Sequence, residues 1–314
     1  MKRLFLPLIA LLLSVNVAFA QDDATASAWT HGGNVGFNMA QSAFDNWAPG
    51  GQNNVNFLGL LKYDINFKKD NHKWDNGIDL QLGYSYYDMD EDPLKTDDRI
   101  FFSSLYGYNI YNDKLFATAN FTFQSQFTDG FDRKVGDTIS TPRISGFMVP
   151  AYITLGLGAQ WVPSEHFKVN FAPLTARMTI VNDQRLADAG AFGVDKAEYD
   201  EDGNKTKDGK KIRWELGAQL TAELKYEIIK NVEFSSKLIA FYDYLTEGKN
   251  ALDETYTCPV DFDWDNALIM KVNDWLSCNL TARLVYDEDV KPVRGDSFRQ
   301  FKEVLSIGIS YKIP

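Results

Sequence analysis

Three carboxylates alternate along one short stretch of this chain, Asp261, Asp263 and Asp265 in "VDFDWDNALIM". At every second position they share a face if the stretch is extended, leaving Phe262 and Trp264 on the other. Such a column suits a wet pathway that enriches cations, or pairing with basic groups across a gap. Arg99, Arg213, Arg283 and Asp243 occupy the polar face of other two-faced stretches. Together these charges are the candidate lumen residues, with Lys62, Arg177, Glu215 and Glu223 as further members of the same face.

Catalytic chemistry finds less support. The chain has three histidines. His31 is expected just before the first strand, and His72 and His166 in short turns, too scattered for a metal set or a nucleophile–base pair. No GxSxG, HExxH or P-loop pattern occurs, and Cys258 has no base nearby in sequence. The segment "YDEDGNKTKDG" sets Asp200, Asp202 and Asn204 at calcium-loop intervals. Its glycine is misplaced and the closing glutamate is missing, so a hairpin turn around Gly203 is the better reading. The chain reads as a non-enzyme, with no cofactor and no metal.

The elements that carry these charges are long. In "KWDNGIDLQLGYSYYDMDEDP", Trp74, Ile78, Leu80, Leu82, Tyr84 and Tyr86 alternate with polar residues. In "IRWELGAQLTAELKYEI", Trp214, Leu216, Leu220, Leu224 and Tyr226 oppose Arg213, Glu215, Gln219, Glu223 and Lys225. As helices these stretches would spread charge all round; as strands they are two-faced. About a dozen such strands run from near Asn34, well beyond the ordinary length of about 5–6 residues. Short links ("KKDNHK", "YNDK", "VPSEH", "IIKN", "VNDW") alternate with long polar ones. In "NFAPLTARMTI" the apolar face changes sides at Pro173, which predicts a β-bulge.

Membrane hydrocarbon demands that every backbone group pair internally, so a sheet there must close. Long alternating strands, short turns on one rim and long loops on the other predict an antiparallel, up-and-down transmembrane β-barrel of about twelve strands. The secreted β-sandwich, with its shorter strands, fits less well. Trp74, Trp161 and Tyr226 are expected in an aromatic girdle at the periplasmic interface, with Phe167 and Tyr311. Tyr84, Tyr86, Trp214, Tyr242, Tyr244 and Trp264 are expected in the outer girdle, with Tyr286.

Residues 1–20, with Lys2, Arg3, the run "LFLPLIALLLSV" and "AFA", read as a signal peptide. Residues 21–33 then form a short periplasmic lead and residues 34–314 the barrel, with both termini periplasmic. A net charge of −11 argues against nucleic acid as a partner. A Cys258–Cys278 disulfide is excluded on geometry. With a turn at Asn273–Asp274, Cys278 falls opposite a residue near Met270, and Cys258 lies about 40 Å away along the strand.

From about Trp29 to Pro314 the chain resembles the Bacteroidetes outer-membrane barrel family catalogued as domain of unknown function 3078. The resemblance is carried by "WTHGGNVGFNMAQSAFDNWAPGGQNN", "KTDD", "PAYITLGLG", "APLTARMTIVNDQRLADAGAFGV", "VYDEDV" and "QFKEVLSIGISYKIP". It implies an outer-membrane barrel and supplies no catalytic residues. Chains of this kind commonly end on an aromatic residue read by the barrel-assembly machinery; here Tyr311 is the last aromatic.

The expected function is a narrow, porin-like path for small polar or charged solutes. The alternative is a non-conducting barrel with a structural or surface-binding role through its long loops. About twelve strands leave room for either a narrow pore or a salt-bridged plug. Expected partners are outer-membrane lipid and lipopolysaccharide, the assembly machinery and small solutes. The "DNWAPGGQNN" link (45–54) reads as a tight hairpin cap or as a lid over the lumen. The acidic stretch 88–98 reads as a solvated loop or as a binder of ions that bridge lipopolysaccharide.

Overall fold

The computed structural model describes residues 28–43, 53–87, 92–132, 142–245, 251–252, 254–256, 258, 260–290 and 297–313. The signal-peptide reading, most of the 45–54 link and the start of the acidic stretch lie outside them. Twelve strands form the barrel: β1 (Trp29–Ser42), β2 (Asn54–Lys69), β3 (His72–Tyr86), β4 (Leu94–Tyr111), β5 (Leu115–Ser125) and β6 (Ala151–Ser164), followed by β7 (Phe167–Ile180), β8 (Ile212–Ile229), β9 (Val232–Asp243), β10 (Val260–Lys271), β11 (Leu276–Tyr286) and β12 (Arg299–Ile313). Each pairs antiparallel with its sequence neighbours, and β1 closes the ring on β12 from Gly33↔Ile313 to Met39↔Ile307. The first strand starts earlier than expected, so His31 lies within β1 and not before it. Closure leaves the barrel without a sheet edge, which is what makes a sheet tolerable in lipid.

Side-chain burial is inverted relative to a water-soluble fold. Leu305 and Ile307 are 62% and 63% exposed, whereas Ser306 between them is 7% exposed. Large apolar residues cover the outside of the ring, and the buried positions are rich in Asn, Gln, Ser, Thr and charge. This is the pattern of a barrel whose outer wall meets hydrocarbon and whose polar face turns inward. Among the described residues no helix is long and apolar enough to cross a membrane.

The bulge falls where Pro173 predicts it. On the β8 side, Gly217 faces Thr175 and Gln219 faces Ala172; on the β6 side, Leu157 faces Leu174 and Ala159 faces Phe171. The extra residue restores the inward face from Ala172 to Thr175. The bulged backbone presses on β6, where a Cβ at Gly158 would lie 2.0 Å from the Phe171 carbonyl oxygen, so only glycine fits. The register also sets Cys278 opposite Met270, and both cysteines are free.

The short links gather at one rim, with left-handed residues at Asp70, Asn112, Asp113 and Asn231. Long loops crowd the other. The loop after β7 carries a short helix, α1 (Gln184–Asp188), capped by the Asp183 carboxylate on the Arg185 and Leu186 amides. Leu186 and Ala187 pack with Val149, Val181 and Val194 into a small apolar core above the ring. Further along, Glu198–Tyr199 pairs with Lys205–Lys207 in a hairpin. The Asp200 carboxylate accepts from the Asn204 amide at 2.7 Å, the turn chemistry expected there.

Candidate functional site

The inward face of the ring brings the predicted lumen charges together near the long-loop rim. Arg99 on β4 reaches Asp265 on β10 at 3.1 Å. In the closed order these strands lie on opposite walls, so this ion pair crosses the lumen. Arg283 on β11 grips Asp263 with both arms, Nε at 2.9 Å and Nη2 at 2.6 Å, and touches Asp265 at 3.5 Å. Arg177 on β7 is bidentate to Glu215 and reaches over to Asp261 at 2.6 Å. Arg213 on β8 lies 3.3 Å from Glu215, 3.9 Å from Asp243 and 2.5 Å from Asp289. Planar guanidinium forks match carboxylates in pairs, which makes these charge-assisted contacts strong and directional.

The carboxylates of Glu215, Asp261 and Asp289 come within 4.8 Å of one another. Arg177 and Arg213 stand among them and share in neutralising their charge. The Asp261, Asp263 and Asp265 column is therefore paired, each member with an arginine from another strand.

Aromatic rings line parts of this polar face. Phe101, Phe116 and Phe241 are buried inside the ring. The Arg99 guanidinium sits 4.8 Å from the Phe101 ring centre, Lys237 lies 5.0 Å from the same ring, and Arg177 lies 4.1 Å from Phe241. Each ring gives a desolvated cation a favourable face. Alternation from Arg99 and Asp243 sets Phe101 and Phe241 on the inward face, whereas hydrophobicity alone would assign all three to lipid.

Lysines take over toward the short-turn rim. Lys168 meets Glu223 at 2.9 Å, Lys237 meets the same Glu223 at 3.7 Å, and Lys62 meets Asp79 at 3.5 Å. Glu233 is shared by Lys225 and Lys271 at 3.2 and 3.7 Å. The Lys62, Lys225 and Lys271 side chains are exposed, so this end of the lumen is wet.

Tyr256, Glu288 and Asp289, which the sequence does not single out, meet at the outer mouth. The Tyr256 hydroxyl donates to Asp289 at 2.6 Å, and the Cys258 amide donates to Glu288 at 2.8 Å. Glu288, 1% exposed, also accepts from the Tyr286 hydroxyl at 2.6 Å. The only signal for them is the acidic run in "VYDEDV". On β4, Asp97 pairs with Lys302, while Asp98 accepts from Lys95 and the Thr128 amide, each at 2.9 Å.

The predicted aromatic residues face outward from the ring. Trp74, Trp161 and Tyr226 are exposed toward the short-turn rim, and Trp214, Tyr242, Tyr244 and Trp264 toward the other. Tyr84 and Tyr86 are half-buried there, with the Tyr84 hydroxyl 3.3 Å from Thr128. The histidines join tyrosines at the short-turn side: His31 with Tyr63 at 3.1 Å, His72 with the Tyr106 hydroxyl at 2.6 Å, and His166 edge-on to Tyr226.

Residues 39–131 match the model of a family described as protein of unknown function (DUF3078), the family that the sequence resembles. No curated protein matches the chain. Among solved structures it is similar to the NanC porin, with 10% identity, TM-score 0.40, and 90% of this chain and 98% of that one covered. An outer membrane channel from Pseudomonas putida F1 also has 10% identity and TM-score 0.40, covering 94% and 98%. Outer membrane phospholipase A from Escherichia coli has 8% identity and TM-score 0.39, covering 90% and 97%. At these identities the likeness says nothing about site or activity.

Proposed function

We propose that this protein is an outer-membrane barrel that passes small polar or charged solutes through a lumen narrowed by paired charges. The observation that carries the reading is the Arg99–Asp265 pair between opposite walls. A sheet of this size leaves an interior between a filled core and a wide channel. Here the arginine–carboxylate layer spans it, and a wetter lysine-lined vestibule lies below. Carboxylates outnumber the arginines at the outer mouth, which favours cations weakly. Outer-membrane lipid and lipopolysaccharide surround the apolar wall, with the exposed aromatics as its girdles, and the assembly machinery inserts it. The three histidines lie against tyrosines at the short-turn rim, apart from one another and from the charged layer.

Planar-bilayer recording under a salt gradient tests this reading. Small single-channel steps with weak cation selectivity are expected, and selectivity should fall when Asp261, Asp263 and Asp265 all become Asn. Anion selectivity would overturn the assignment. Absence of current from verified folded barrels would favour the second reading, a sealed barrel acting through its outer loops; the loop core packed above the ring is the observation on its side. Orientation is tested by epitope tags after Gly203 and after Asn231 in intact cells. Only the first should be stained if the long loops face outward and both termini are periplasmic.

A further inference from the structure

We infer that the outer wall over β9–β12 carries a binding site for an outer-leaflet lipid with amide-linked or hydroxylated acyl chains, as in the acylated amino sugar of lipopolysaccharide. The register aligns Ser236, Asn266, Ala282 and Glu303 in one row across these strands. Strand alternation turns the row outward with Trp264, Phe301 and Leu305, which are exposed. The flanking rows are apolar, with Trp264, Leu284 and Phe301 on the long-loop side and Leu268, Leu280 and Leu305 on the other. A polar stripe thus crosses a wall built for hydrocarbon, where polar side chains are costly unless they find partners.

The same motif occurs toward the short-turn rim with its partners in place. On β3, Trp74 and Asn76 stand at alternate positions with Ser104 opposite Asn76, just as Trp264 and Asn266 stand with Ser236 opposite Asn266. In both, the indole donates to the serine hydroxyl, at 2.8 and 2.9 Å. Around Asn76 the chain of bonds closes. Ser104 donates to the Asn76 side-chain oxygen at 2.8 Å, and the Asn76 amide donates to the Ile65 carbonyl at 3.1 Å. Around Asn266 it stays open. Among the described residues, neither the Asn266 side chain nor the Glu303 carboxyl has a partner. Ala282 between them is small, which leaves a notch flanked by strands about 10 Å apart.

Depth and chemistry choose the occupant. A tilted strand climbs about 20 Å between Glu303 and Tyr311, within an apolar band about 25 Å tall. With the long loops outward, the row lies just inside the outer edge of the hydrocarbon, one outward residue below the Trp264 indole. Lipid chains join their head group at this depth. Ester linkages there offer acceptors only. A carboxylate also only accepts, so it needs a donor. An amide N–H or a chain hydroxyl supplies one, while the Asn266 amide takes a carbonyl. The site rests on the long loops facing outward and not on the channel reading; an inverted barrel is detected separately by the epitope tags.

Native mass spectrometry of the full-length barrel in detergent tests the site, with titration by lipid A and by cardiolipin. Both bear phosphates and several acyl chains, but cardiolipin's chains are all ester-linked and carry no hydroxyl. The wild type should bind lipid A about tenfold more tightly than cardiolipin. Glu303→Leu and Asn266→Leu together should abolish that preference. Leucine suits a lipid-facing position, and heat-dependent gel migration confirms the folded barrel; Glu303→Leu alone gives the same comparison if the double variant does not fold. Equal affinity for the two lipids, or a preference unchanged in the leucine variants, overturns the site. A lipid-free dimer that Glu303→Leu dissociates would assign the stripe to a second copy of the chain and likewise overturn it.

Discussion

The two ends of the lumen solve one problem with different chemistry. Near the long-loop rim, Arg99, Arg177, Arg213 and Arg283 each hold their nearest carboxylate at 2.5–3.1 Å, two of them with two arms, and the Glu215 side chain is only 2% exposed. Near the short-turn rim, lysines sit 2.9–3.7 Å from carboxylates, and the Lys225 side chain is 70% exposed. Guanidinium is a rigid planar fork that tolerates desolvation, whereas ammonium is a hydrated point charge on a mobile stem. The first layer is suited to fix the lumen's shape, and the second to stay wet and exchange partners. Charges that look equivalent along a strand therefore differ in consequence with their height in the barrel.

The largest effect should come from breaking the arginine layer at its most buried point. Arg177→Ala strands Glu215 and Asp261 without their main cation, an expected loss of about 3–5 kcal/mol. Urea unfolding in lipid vesicles, followed by tryptophan fluorescence, checks it; a loss below about 1 kcal/mol would make the two layers alike. In the lysine layer, Lys225→Ala removes an exposed pair and should change stability by no more than about 1 kcal/mol. The same unfolding experiment reads it.

A smaller effect belongs to the loop core. The Lys205 ammonium, then the Gln184 amide and the Gly209 N–H, hold the Asp188 carboxyl down to about 2 from 3.8. A depressed carboxylate stabilises the fold above its ordinary range, and that contribution disappears as the pH falls toward the lowered value. Protection of the 181–211 loop against an acid-active protease should decline between about pH 4 and about pH 2, and Asp188→Asn should flatten that decline. An unchanged profile would detach this pair from loop order.

Much of the barrel was legible because lipid enforces period-two patterning over long strands. The dozen strands, the bulge at Pro173 and the Cys278–Met270 register all follow from local alternation and turn chemistry. The lumen charges were legible as a set, since polarity marks the inward face. Their partners were not, because Arg99 and Asp265 are far apart in sequence and meet only when the ring closes. Phe101, Phe116 and Phe241 escaped notice because their hydrophobicity points to lipid, while the strand pleat turns them inward, where cations lie over their rings. The acidic turn Asp287–Asp289 looked like any solvated loop, as nothing local tells a loop folded over the mouth from one in water. His31 was displaced from its expected place because β1 begins before the clearly alternating residues do.

The central claim is that paired charges from opposite walls narrow the lumen, and a charge swap tests it most directly. Single-channel conductance would be measured for the wild type, for Arg99→Asp, for Asp265→Arg and for the two together. Each single change sets like charges across the lumen and should raise conductance, while the double change restores the pair and should return it toward the wild-type value. A double variant that conducts like the single ones, or single variants indistinguishable from wild type, would contradict a lumen narrowed by this pair.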